Sequence, residues 1–253
     1  MTILTYHAVD PGWSAPLSVP PARFVEQVRW IAAHRRVLSL EDLLATSPSG
    51  ASRDSVALTF DDGFASVYDH AVPLLRTLGL PFTVFLIGKM HDGSGATVDW
   101  VDRPPAHPLR TLETAQIREL QAEGVRFGSH SYAHADMTTL GYEPSRVDFL
   151  RSREVLEDLL GRPVTTLAYP RGRHDELVRR AAADSGFTWA FGLAVPSGTV
   201  GPTAVPRVGV YPKDRSRSLR VKTDPMYARF RASSPYPWLR RKIERIRPGA
   251  PPG

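Results

Sequence analysis

The stretch ALTFDDGFASV, residues 57–67, changes its period in the middle. Residues 56–60 form a short apolar and β-branched run suited to a buried strand, whereas residues 65–78 place Val67, Ala71, Leu74, Leu75 and Leu78 on one helical face. Between the two stand neighbouring acids, Asp61 and Asp62, followed by Gly63. Carboxylates this close resist joint ionisation, so a cation, a hydrogen-bond network or a shifted pKa has to relieve one of them. The ordinary alternative is that one caps the following helix and the other faces water.

The same rhythm runs outward in both directions. Strands are expected at 3–6, 36–40, 56–60, 82–87, 125–129, 165–169, 188–192 and 206–210. Helices are expected at 21–34, with Phe24, Val28 and Ile31 on one face, and at 65–78, 112–123, 144–160 and 174–185. Strands alternating with helices predict parallel βαβ units, in a closed barrel or an open doubly wound sheet. In either case the loops at the carboxyl ends of the strands carry the site. Residues 88–110, rich in Gly and Pro, read as a long loop at such an end, and the GSG within them opens no helix and cradles no phosphate.

The chain has 253 residues and no cysteine. Disulfides, thiolate nucleophiles and Cys-ligated metals are thereby excluded, leaving His and carboxylate as metal ligands. Its net charge of +6 is uneven: residues 213–253 hold twelve Lys/Arg against three Asp/Glu, and residues 1–212 hold 20 against 23. A mildly acidic body with a basic tail is not the pattern of a broad nucleic-acid binder. One domain is expected over 1–212, followed by the tail. The first ten residues lack a basic region and apolar run, and no stretch is apolar for a membrane span, so a cytoplasmic protein is expected. Within the tail, Trp238, Leu239, Ile243 and Ile246 fall near helical spacing among Arg240, Arg241, Lys242, Arg245 and Arg247. Such a segment either lies on an anionic bilayer or docks on the body with a solvated charged face.

A second acid-base signal follows the strand at 125–129, where FGSHSYAHADM places His130 and His134 four apart. On a helical turn this spacing puts both imidazoles on one side, suited to one metal ion. Two His with one carboxylate form a facial triad with positions left open, and the second carboxylate is then free for proton transfer. Together TFDDG and HSYAH resemble the polysaccharide deacetylase group (NodB homology, carbohydrate esterase family 4) over roughly residues 1–212. The resemblance implies an irregular (β/α) barrel of about seven strands. It also implies metal-dependent removal of acetyl groups from a glycan, with Asp61 as catalytic base and Asp62, His130 and His134 as metal ligands. Zinc suits this ligand set, and cobalt, nickel, manganese or iron(II) fits it as well.

The remaining motifs depart from the family's commoner pattern. LAYPRG, residues 167–172, stands where Arg-Pro-Pro-Tyr-Gly is usual, so Ala168 replaces the Arg that steadies the catalytic Asp. Arg207 in VPRVGV is the candidate replacement, or else a member of a structural salt bridge. Beyond Trp189, DSGFTWAFG also lacks the family's Asp-rich stretch, which ordinarily supports the missing Arg. No His follows His174 to serve as the usual general acid. ILTYHAVD, however, resembles the N-terminal Tyr-His motif of the poly-N-acetylglucosamine deacetylase branch, which implies His7 as the acid, with a packed strand-end His as the alternative. The backbone N–H of Arg171 is the candidate donor to the oxyanion, since Pro170 has none to give. Tyr169 and Trp100 are the candidate sugar contacts. Two other readings stay open: a glycan-binding module that has lost its chemistry, and a hydrolase of non-sugar amides on the same fold.

Overall fold

The computed structural model describes residues 2–45, 54–194 and 200–232. In chain order the elements are β1 (Thr2–Tyr6), α1 (Pro21–His34), β2 (Arg36–Val37), α2 (Leu40–Ala45), β3 (Ser55–Phe60), α3 (Val72–Thr77), β4 (Phe82–Leu86) and α4 (Thr114–Ala122). They continue as β5 (Arg126–Ser129), α5 (Tyr142–Leu160), β6 (Thr166–Ala168), α6 (Glu176–Asp184), β7 (Trp189–Leu193), β8 (Val205–Gly209), α7 (Ser216–Lys222) and α8 (Pro225–Ala232). The strands β1, β3, β4, β5, β6, β7 and β8 form a parallel ring, closed because β1 pairs with both β3 and β8. This resolves the choice between barrel and open sheet in favour of the barrel. Its irregularity shows in the seam between β5 and β6, where Ser129 opposite Leu167 is the paired position.

Strand parity sorts the core into two layers, as the two-residue side-chain period requires. Ile3, Ala57, Phe85, Ala168, Phe191 and Val205, contributed by six strands of the ring, meet in one cluster inside the barrel. Leu4, Tyr6, Leu58, Phe60, Val84 and Leu86 point outward onto Phe24, Val28 and Ile31 of α1 and onto Leu75, Ile117 and Phe149 of other helices. Strands covered on both faces read as continuous apolar runs, which is why β1, β3 and β4 are buried at every residue.

Two expected elements end differently. The strand expected over 36–40 stops at Val37, because Ser39 Oγ accepts the Asp42 N–H at 3.0 Å and starts α2 instead. Leu40 and Leu43 of α2 then plug the barrel's interior cluster. The helix expected over 65–78 contains a wide π turn at Val67–Ala71 just ahead of Pro73. Proline has no N–H to continue the α ladder and crowds the carbonyl four residues back, so the turn widens there.

The stretch after residue 212 is not one uniform tail. Lys222 Nζ donates to Gly209 O (2.8 Å) and to Asp214 Oδ2 (2.6 Å), and Gln27 of α1 donates to the carbonyls of Tyr211 and Asp214. Leu219 and Ala228 are buried against the body, so α7 and α8 pack on α1 and β8. The amphipathic stretch Trp238–Ile246 lies outside the described residues. Among the described residues no helix is long and apolar enough to cross a membrane.

Candidate functional site

The junction after β3 explains how adjacent acids can serve different purposes. The Asp61 N–H continues the ladder onto Tyr6 O at 2.9 Å, and the backbone then passes through left-handed conformation at Asp62 (φ 67°) and Gly63 (φ 63°). The turn sends the two carboxylates apart. Gly63 suits this turn because its φ is left-handed and a Cβ there would press on Leu86 Cδ2 at 2.7 Å. Among the described residues the non-glycine positions with positive φ are Asp62, Ser131, His134 and Arg171. All four lie on loops that leave β3, β5 and β6 at one rim. Left-handed backbone at such residues is costly and clusters where a site requires it.

Asp62 faces two imidazoles. Its Oδ1 lies 3.5 Å from His130 Nε2 and 3.3 Å from His134 Nε2, and one ligand atom from each residue fits within 4.8 Å of the others. His130 Nδ1 is 2.8 Å from the Ala168 carbonyl and donates to it, so Nε2 turns its lone pair toward Asp62. Burial pushes the His130 pKa down to about 4, leaving a neutral ring at neutral pH. Burial alone would push the Asp62 carboxyl up, but His134 beside it holds the carboxyl below its ordinary range. Asp62 Oδ1 is fully enclosed without a hydrogen-bond partner. A buried carboxylate oxygen in that state is matched by a cation, and the N₂O donor set fits a divalent ion.

The His-x-x-x-His segment departs from the expected helical turn. Residues 130–134 form a loop in which Ser131 (φ 67°) and His134 (φ 57°) are left-handed, and the two rings still come within 4.9 Å of each other. Spacing predicted the convergence but not the backbone that achieves it.

Asp61 has a separate environment inside the barrel. Arg207, 1% exposed, donates from Nη1 to Oδ1 at 2.7 Å and from Nη2 to Oδ2 at 2.8 Å, and also from Nη1 to Thr59 Oγ1 at 3.3 Å. Burial raises the Asp61 pKa, but Arg207, with His130 and His7, outweighs it and holds the carboxyl well below the usual range. A fork-to-fork pair fixes the carboxylate plane as well as its charge. His7 Nε2 lies 3.9 Å from Asp61 Oδ2, with its side chain about one-fifth exposed. Base candidate, arginine and acid candidate are thus brought together.

Trp100 also arrives at the site: its ring is 5.4 Å from that of His134, and Lys89 Nζ lies 5.2 Å over it. Behind it Phe64 and Trp13 continue an aromatic wall. Tyr169 is a correction. Its ring is fully buried between Phe149 and His174, and its hydroxyl donates to Thr203 O at 2.9 Å, so its side chain is no sugar contact. His174 packs against Tyr169 and accepts from Arg179 at 3.2 Å. Arg171 exposes its side chain on a 3₁₀ turn, Pro170–Gly172, directly after β6. Residues that the sequence reading missed lie behind the loop: Asp148 and Ser152 of α5, and Ser129.

The carboxyl-end rim of a closed parallel (β/α) barrel thus carries an Asp–His–His cluster able to hold a metal ion and, beside it, a second Asp clamped by an arginine. The sequence pattern of the polysaccharide deacetylase family matches residues 49–190, and the chain belongs to that family. It is 27% identical over 187 residues to the poly-β-1,6-N-acetyl-D-glucosamine N-deacetylase of Staphylococcus epidermidis, covering 70% of this chain and 61% of that protein. The chain spans about three-fifths of the length of the curated relatives it matches first. Among solved structures, the Streptococcus pyogenes deacetylase PplD in complex with acetate has the same fold, with a TM-score of 0.74, 23% identity and coverage of 89% and 98% of the two chains. IcaB from Ammonifex degensii superposes with a TM-score of 0.67 at 25% identity, over 90% and 96%.

Proposed function

We propose that the chain is a metal-dependent hydrolase that removes acetyl groups from N-acetylated sugars of a glycan. The observation that carries this reading is the division of labour at Asp61–Asp62, one carboxylate aimed at two metal-type imidazoles and its neighbour held ionised by Arg207. The names of the relatives make a poly-N-acetylglucosamine chain the first substrate to try.

A divalent ion held by Asp62, His130 and His134 supplies polarisation of the acetyl carbonyl and a water of lowered pKa, with zinc the first metal to test. Each Asp61 oxygen keeps a second lone pair beyond its bond to Arg207, so the carboxylate takes the proton of the attacking water. His7, 3.9 Å from Asp61 Oδ2, is the proposed proton donor to the departing nitrogen. Trp100 offers an aromatic face beside His134 for a pyranose ring, and the Arg171 N–H is the proposed partner of the oxyanion.

The deciding experiment is acetate release from N-acetylglucosamine oligomers, alongside a panel of plain amides, before and after chelation and metal return. The reading expects sugar turnover that vanishes on chelation and returns with metal; turnover surviving thorough metal removal ends it. His7→Ala is expected to lower kcat about 10²-fold with unchanged metal content. A variant of normal kcat returns His7 to a packing role.

A further inference from the structure

The loop that carries His130 and His134 cannot hold its own shape. Five consecutive backbone N–H groups, residues 130–134, make no helical bonds, and each must find another acceptor. His130 N–H continues the sheet to Leu86 O at 2.7 Å. Ser131 N–H goes to Ser129 Oγ (3.0 Å), and His134 N–H to Ser131 Oγ (2.9 Å). The two in the middle, Tyr132 and Ala133, go to the two oxygens of one carboxylate, Asp148, at 2.8 and 2.9 Å. The loop's carbonyls are tied as well, Ser131 O to Gly88 N–H and Tyr132 O to Lys89 N–H, both at 3.0 Å.

Asp148 is not alone on its helix. One turn further along α5, Ser152 is fully buried and its Oγ lies 2.7 Å from Ser129 Oγ, the atom that receives Ser131 N–H. Residues four apart share a helix face, so α5 presents a carboxylate and a hydroxyl that grip the loop on either side of left-handed Ser131. The grip has a purpose beyond filling bonds. Two left-handed non-glycine residues in four carry a conformational cost on the order of 1–3 kcal/mol each, which the surrounding structure has to overcome. Without the clamp, the segment is free to relax toward the helical turn its spacing otherwise favours, and the two Nε2 atoms lose their common focus on Asp62.

We infer that Asp148, seconded by Ser152, is a positioning residue for the metal centre: α5 sets the affinity of the Asp62–His130–His134 cluster by fixing the backbone between its two imidazoles. Neither residue touches the cluster's ligand atoms, and both act through hydrogen bonds to the loop. The inference rests on the metal-centre reading above.

The test is the dissociation constant for Zn²⁺, measured on the full chain by competition with a chromophoric chelator. Asp148→Asn keeps one acceptor oxygen but turns an amide NH₂ onto a backbone N–H, and is expected to weaken Zn²⁺ binding about 10–100-fold. Ser152→Ala, which removes one hydrogen bond, is expected to weaken it about fivefold. Val147→Ala, at a neighbouring position 58% exposed, is the control and leaves the constant unchanged. Melting of the metal-free proteins is recorded in parallel. Constants within twofold of the parent for both variants overturn the inference, and so does a loss of metal-free stability with unchanged affinity, which assigns Asp148 to the fold only. Should Asp148→Asn not fold, Ser152→Ala decides by the same criterion. A parent chain that binds no Zn²⁺ at all overturns the metal centre itself and this inference with it, an outcome distinct from unchanged variants of a parent that binds.

Discussion

Asp61→Asn is expected to lower turnover by roughly 10⁴-fold, the upper end of what acid–base catalysis supplies, while divalent-metal binding at the proposed centre is retained. The amide cannot take a proton from water at neutral pH, and the ligand atoms of Asp62, His130 and His134 belong to different side chains, so metal content is not touched directly. The change also has a structural cost. One amide oxygen still accepts from Arg207, but the NH₂ then faces the other guanidinium nitrogen across what is now a bond of 2.7 or 2.8 Å. Two donors in opposition inside the barrel lower stability, so turnover must be measured well below the variant's Tm. Metal analysis of the purified variant separates the roles. If Asp61→Asn loses metal along with activity, Asp61 is itself a ligand and the assignment of the two acids is reversed.

The sequence is most legible where chemistry and periodicity coincide. The break of period at Phe60–Asp61 located both a strand end and the paired acids, and the other expected strands have counterparts in the barrel except the one at 36–40, which shrinks to two residues paired with β3 outside the ring. That loss came from a competing local signal, Ser39 capping α2, which the apolar run concealed. Arg207 was reachable only by asking what replaces an arginine missing at Ala168; the two-pronged contact with Asp61 needs strand parity on β8 as well.

Less of the loop at 130–134 was readable. Four-residue spacing announces that two His can converge but carries no signal of positive φ at Ser131 or His134. Asp148 was invisible for a different reason. Its partners are backbone N–H groups, which every residue possesses, so nothing in the sequence marks it off from any other helix-surface acid. Tyr169 shows the opposite error, since proximity to a motif suggested contact with substrate, while the alternation after Ala168 turned the ring out of the barrel into the layer beneath Phe149 of α5.

Arg207→Met is expected to reduce stability by about 3–5 kcal/mol, because it leaves the Asp61 carboxylate buried without its counter-charge. The consequences for pH run in a defined direction. In the parent, Asp61 titrates below its unfolded value, so its contribution to stability is full above the ordinary carboxylate range and is lost only as pH falls through the depressed pKa. In the variant, burial is no longer opposed by Arg207 and the Asp61 pKa rises. The folded state then binds a proton more readily than the unfolded chain does. The penalty is full at neutral pH and shrinks on acidification, and the gap in Tm between parent and variant narrows as pH is lowered. Activity should move in the same sense: the acid limb of kcat/KM shifts upward, since the protonated carboxyl is no base. Arg207→Lys supplies the control, keeping a positive charge but losing the two-pronged geometry, and should fall between parent and Met variant in both measurements. A Met variant with unchanged Tm removes Arg207 from its role as the clamp on Asp61. One that loses stability but keeps the parent's acid limb confines the pair to the architecture of the barrel.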